Sequence, residues 1–169
     1  MAAIRDADEP LYRAFVGPLG QRHYLAYFAR ADARGYPPIS WHWPALLFGV
    51  LWLIYRKLYR VALIGFVAPY LAIAAGAVAE HLVPRTGSFV AWALLVAFFA
   101  VWLPLNAHAL YYKQARAAIA QMRAIYPARQ DAQVTALGVI GGAHRGLPLA
   151  LLVLLTALSV VAGLAEMNR

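Results

Sequence analysis

Five histidines are the side chains of this sequence best suited to proton transfer or metal binding: His23, His42, His81, His108 and His144. They lie in separate segments, and none stands four residues from another. That spacing is what lets one helix present two imidazoles to a single ion. The acids that would complete a ligand set are few: Asp6, Asp8, Glu9, Asp32, Glu80, Asp131 and Glu166. There are no cysteines, which removes thiolate ligands, thiol nucleophiles and disulfides. No metal and no other cofactor is expected. His42 and His108 both fall at the edge of hydrophobic segments, where folding can bring them together, so they are the pair to follow.

Catalytic constellations are equally thin. Ser40 and His42 are near neighbours in sequence, which does not make a dyad. Asn106 and His108 have no nucleophile beside them. The run LGVIGGAHRGLP carries Gly138, Gly141, Gly142 and Gly146 but lacks the Gly-Lys-Ser/Thr ending and the preceding strand of a phosphate loop. It reads as a flexible connection. A non-enzymatic protein is expected.

The densest charged cluster is Tyr55, Arg56, Lys57, Tyr59 and Arg60. Three cations and two phenols beside an apolar segment suit an anionic lipid headgroup, at about 1 kcal/mol per cation near an anionic surface. Lys113 and Arg116 extend this candidate lipid- or anion-binding set. The same cations would also serve simply to stop a segment from being translocated. Trp41, Trp43 and Trp52 are candidate interfacial aromatics, because amphipathic rings favour headgroup depth.

The elements that must position these groups are unusually apolar. The chain has 169 residues, of which 63% are hydrophobic and 13% charged, with mean hydropathy +0.62. A soluble domain carries about 25% charge. The formal net charge is +8, read here as membrane orientation and headgroup contact, with no nucleic-acid partner. The N-terminal MAAIRDADEP is acidic where a signal peptide would be basic. Three segments read as transmembrane helices: 61–79, 89–105 and 147–165. The connection 80–88 makes the first two an antiparallel hairpin. Placing that connection and the C-terminus outside leaves only Arg85 and Arg169 there. The other lysines and arginines fall inside, which predicts a cytoplasmic N-terminus and a periplasmic C-terminus.

Residues 41–55 are too short to span. As a helix they cover roughly 22 Å against a hydrocarbon core of ~30 Å, and both flanks are basic. A re-entrant or interfacial helix is expected, the alternative being a short true span with the N-terminus outside. Over 111–130, Tyr112, Ala115, Ile119, Met122 and Tyr126 form one helical stripe flanked by Lys113, Arg116 and Arg123. It either lies on a membrane or packs on the protein's own helices. Gln21–Arg34 repeats the theme with Tyr24, Tyr27, Phe28 and Ala31, bounded by Gly20 and Gly35. Two units are drawn: an aromatic-basic cytoplasmic segment, 1–40, and a helical membrane domain, 41–169.

Several of these stretches occur together in a known family. FVG at Phe15–Gly17, YLAYF at Tyr24–Phe28, SWHWPALLFGVLWLIYRKLY at Ser40–Tyr59 and NAHALYY at Asn106–Tyr112 resemble the bacterial membrane family designated domain-of-unknown-function family 2628. The family core looks like S-W-N-W-x-A-x-x-F-G-x-x-W-x-x-Y-R-K-M-Y. Here His42 replaces the asparagine and Leu58 the methionine. The resemblance covers about residues 15–126 and implies an inner-membrane location. It implies no activity.

The expected protein is therefore all-α and polytopic, with three transmembrane helices, a short re-entrant or interfacial helix and cytoplasmic amphipathic helices. Its expected role is that of a small inner-membrane accessory protein engaging anionic phospholipid or a larger membrane complex. The alternative is an oligomeric carrier or channel for an anionic or lipid-like solute. Ala68, Ala72 and Gly76, like Ser159 and Gly163, have the small-residue spacing that supports a homo-oligomer.

Overall fold

The computed structural model describes residues 8–80, 86–144 and 146–167. These form nine α-helices and one π-helical turn, with no strand among the described residues. Helix α1, Glu9–Val16, starts with Pro10 in its first turn, where a missing N–H costs nothing. Helix α2, Gln21–Arg34, closes on Gly35 in the left-handed conformation, a common helix stop. Helices α3, Trp43–Phe48, and α4, Val50–Tyr55, are separated at Gly49, whose φ of +48° suits glycine. Helices α5, Tyr59–Glu80, and α6, Thr86–Ala97, pack on one another. A π-turn, Phe98–Trp102, leads into α7, Leu103–Ile125. Pro104 explains the turn, because it cannot donate to the preceding turn and the ladder must widen around it. Helix α8, Gln130–Ile140, and α9, Gly146–Met167, complete the chain.

The core is aromatic and lies where α1, α2, α3, α4, α7 and α8 meet. Leu11, Phe15, Tyr27, Phe28, Leu53, Leu103, Tyr111 and Leu137 are almost wholly buried. Phe28 lies within 5.1 Å of the Tyr12 ring and 5.4 Å of the Tyr112 ring, and Tyr24 meets Tyr111 edge-on at 4.9 Å. These are the tilted and edge-to-face geometries that aromatic pairs favour. The stripe on α7 faces inward: Tyr112, Ala115, Ile119 and Met122 are buried and Tyr126 is half-buried. Asp32 ties α2 to its neighbours by accepting from Tyr112 Oη at 2.5 Å and Tyr12 Oη at 3.3 Å.

The polytopic membrane architecture is not what forms. Among the described residues no helix is long and apolar enough to cross a membrane. The expected span 89–105 is divided between α6, the π-turn and α7. The expected spans 61–79 and 147–165 lie within α5 and α9, neither of which qualifies as a membrane-crossing helix among the described residues. The short re-entrant or interfacial helix is also corrected. Residues 41–55 make two helices, and Ala45, Trp52 and Leu53 are buried in the protein's own core. The glycine-rich stretch is in part α8, with Gly138 inside the helix.

Candidate functional site

The centre of the molecule is a polar cluster inside the aromatic core. Helix α2 contributes His23 and Tyr24, the turn before α3 contributes Ser40 and His42, α4 leads to Arg56, and α7 contributes His108 and Tyr111. His42 is the N-cap of α3, and its Nδ1 accepts from the Ala45 N–H at 3.0 Å. That acceptor role places the ring proton on Nε2, which donates to Tyr24 Oη at 3.0 Å. Asparagine is a preferred N-cap. The histidine performs the same capping and adds the link to Tyr24.

His108 lies between two partners. Its Nδ1 is 2.8 Å from Ser40 Oγ, and its Nε2 is 2.7 Å from His23 Nε2. One proton must lie between the two imidazoles, since two neutral nitrogens at that distance need one donor and one acceptor. The His42 and His108 rings meet edge-on at 4.4 Å, and Tyr27 stacks on His108 at 4.8 Å. Burial lowers the His42 pKa to about 3, with His108, His23 and Arg56 adding repulsion. Burial and His23 likewise lower His108 to about 4. Both rings are neutral at pH 7. His23 itself is exposed. The row from His23 through His108 to Ser40 can relay a proton inward. Among the described residues no group of three or more histidines, cysteines or acids has an arrangement that could hold a metal ion.

Arg56 and Lys57 are neighbours that do the same job on two helices. Arg56 is 4% exposed. Its Nη2 donates to the Leu19 carbonyl at 3.1 Å and Nη1 approaches the Val16 carbonyl at 3.5 Å, at the C-terminal end of α1. Its guanidinium stands over the rings of Tyr24 at 4.4 Å, Tyr111 at 5.1 Å and Tyr55 at 5.3 Å. Cation–π contacts of this kind strengthen when desolvated. Burial pushes the Tyr111 phenol up to about 12 against the opposing pull of Arg56. Lys57 has a φ of +60°, and its Nζ donates to the carbonyls of Val139, Ile140 and Gly141 at 3.1, 3.2 and 2.6 Å, at the end of α8. Cations at helix C-termini offset the dipole and satisfy orphan carbonyls.

The two capped ends converge. The Gly142 N–H donates to the Phe15 carbonyl at 2.7 Å, and the His144 N–H donates to the Tyr55 carbonyl at 2.8 Å. A Cβ on Gly141 would stand 2.1 Å from the Phe15 carbonyl oxygen, so only glycine fits that approach. Gly141 and Gly142 are therefore pinned by packing and hydrogen bonds.

Residues 26–116 match the family described as Protein of unknown function (DUF2628). The chain belongs to this family. No curated protein and no solved structure matches it. The matched segment runs from α2 through the first half of α7, so it carries His42, Arg56, Lys57, His108 and Tyr111. His23 and Tyr24, which complete the cluster, lie just before it.

The sequence-derived set divides by position. Arg56 and Lys57 face inward on helix ends. Tyr55 is half-buried, while Tyr59, Arg60 and Lys113 are exposed. Arg116 reaches Asp32 at 3.5 Å and Tyr112 Oη at 3.2 Å. Gln114 donates to the Lys57 carbonyl at 3.1 Å, which sets that turn of α7 against the start of α5. Trp41 and Trp43 are exposed and meet edge-on at 5.7 Å. Trp52 is buried, 4.5 Å from the His42 ring. The pairing of His42 with His108 was visible in the sequence as a possibility. The addition of His23 was not, because 85 residues separate it from His108. The one available signal was the shared aromatic-plus-histidine character of RHYLAYF and NAHALYY. His81 lies outside the described residues.

Proposed function

We propose that this is a small, non-enzymatic accessory protein that associates with the bacterial inner membrane, where it engages anionic phospholipid headgroups or a larger membrane complex. The observation that carries this reading is the apolar surface of α5, α6 and α9. Leu63, Ile64, Leu71, Phe89, Leu94 and Val153 each expose more than half of their surface. Contiguous apolar surface of this kind marks contact with another apolar body. The formal charge of +8 favours an anionic one. Of the cluster's cations, Arg60 at the start of α5 faces outward, as does Lys113 on α7, with Tyr59, Trp41 and Trp43 as exposed aromatics. Arg56 and Lys57 support this function indirectly by fixing the turn that presents Arg60.

Flotation of the full chain with vesicles tests the reading. The protein is expected to float with phosphatidylglycerol-containing vesicles and less with pure phosphatidylcholine. Replacing Arg60 and Lys113 together by glutamine should narrow that difference, because each cation near an anionic surface contributes about 1 kcal/mol. Protein that stays at the bottom of the gradient with both vesicle types overturns the proposal.

A further inference from the structure

The geometry points to a second binding site: a half-open pocket for a single-chain amphiphile with an anionic head, whose head meets Arg56. The site does not rest on the membrane-surface reading, since it uses none of the outward-facing cations.

Three observations meet here. A cavity of about 380 Å³ lies between α3, α4 and α9. That is within the ~300–1,000 Å³ range of small-molecule sites. Its walls are Phe48, Leu51 and Trp52 on one side and Leu149 and Leu152 on the other, with Arg56 lining it as its cation. The volume suits one acyl chain and not the paired chains of a phospholipid. Next, Arg56 is 4% exposed, yet no aspartate or glutamate pairs with it among the described residues. Its partners are two carbonyls and three ring faces. A buried charge without a counter-ion is costly. Finally, the Arg56 Nε–H has no acceptor, and neither does the neighbouring Tyr111 hydroxyl. An anionic head placed where the guanidinium lines the cavity supplies the missing charge, in the charge-assisted bond that guanidinium groups form best with carboxylate and phosphate. The tail then covers Trp52 and the leucines.

Carboxylate and phosphate heads share this chemistry, so three ligands with the same chain separate them: laurate, dodecyl phosphate and dodecanol. Binding of each to the full chain is measured by calorimetry below its aggregation concentration. At least one anion is expected to bind ten-fold or more tighter than dodecanol. Preference for laurate identifies a fatty acid as the source, and preference for dodecyl phosphate a lysolipid-like head. The Leu152→Trp variant fills the cavity from α9, where Leu152 is 50% exposed and outside the core. It should weaken anion binding at least ten-fold with the fold intact. Arg56→Gln should abolish the preference over dodecanol, and if it fails to fold, Leu152→Trp still decides. Equal binding of all three ligands, anion binding unchanged in Leu152→Trp, or no binding overturns the site.

Discussion

The helices α1–α4, α7 and α8 and the helices α5, α6 and α9 solve opposite problems with similar residues. The first group buries most of its rings and supplies a partner for almost every polar atom it encloses. Tyr27 Oη donates to the Pro38 carbonyl at 2.7 Å, Tyr112 to Asp32, and His42 to Tyr24. Among the described residues, the second group contributes Ala62 near its start to the core and turns Leu63, Ile64, Leu71, Phe89, Leu94 and Val153 outward. The difference teaches that hydrophobicity alone does not locate the interior of this protein. The interior is where aromatic rings carry a polar handle that finds a partner. Among the described residues, the most hydrophobic helices are the least buried.

Stability measurements sharpen this contrast most directly. Phe28 is 0% exposed and Leu71 is 65% exposed. Phe28→Ala should destabilise the protein by about 3–5 kcal/mol, the usual cost of emptying an aromatic site. Leu71→Ala should move stability by no more than about 0.5 kcal/mol, as expected away from packed features. Urea unfolding followed by near-ultraviolet circular dichroism, which reports the ring packing, reads both. Equal effects would mean that α5 is part of the cooperative core.

The sequence made the local pieces legible and their assembly much less so. The bounds of α2 follow from Gly20 and Gly35, and the inward stripe of α7 from its periodicity, because glycine conformation and helical spacing are local properties. The split at Gly49 escaped notice because one glycine in an apolar run looks like any small residue. Arg56 and Lys57 read as surface cations for a related reason. Cations beside an apolar segment look the same whether they meet phosphates or helix ends. Only the distant contacts, Val16 and Leu19 for one and Val139 to Gly141 for the other, distinguish them. The apolar runs were read as spans from hydropathy. Hydropathy does not register that 89–105 would be divided by a proline-driven π-turn.

The next effect in size is a pH dependence that belongs to the core alone. His42 and His108 are lowered to about 3 and about 4 in the fold, against about 6.5 in the unfolded chain. Below pH 6.5 the unfolded state binds protons that the folded state refuses. The stability these two rings contribute is complete above that pH and declines as pH falls through 6 and 5. The slope approaches two protons, about 2.7 kcal/mol per pH unit, before the carboxylates begin to titrate. Urea midpoints at pH 7.5, 6.5, 5.5 and 5.0 measure it. A flat profile would show that the rings are solvated and that the cluster is not sealed by its aromatic walls.

The smallest expected change separates the two roles of His42. As an N-cap its Nδ1 satisfies the Ala45 N–H, a service that asparagine also provides and alanine does not. His42→Ala should therefore cost about 1 kcal/mol from the lost cap, within a usual range of ~0.5–2, in addition to the lost contacts with Trp52. His42→Asn should recover the capping part at pH 7.5 while leaving the Tyr24 hydroxyl without its imidazole donor. The decisive reading is the pH slope. Asparagine does not titrate, so His42→Asn should reduce the slope between pH 6.5 and 5.5 by one proton and leave the share of His108. If His42→Asn kept the full slope, the titration would have to come from groups other than His42. His42 would then act only as a cap on α3, and the buried polar cluster would be smaller by one member.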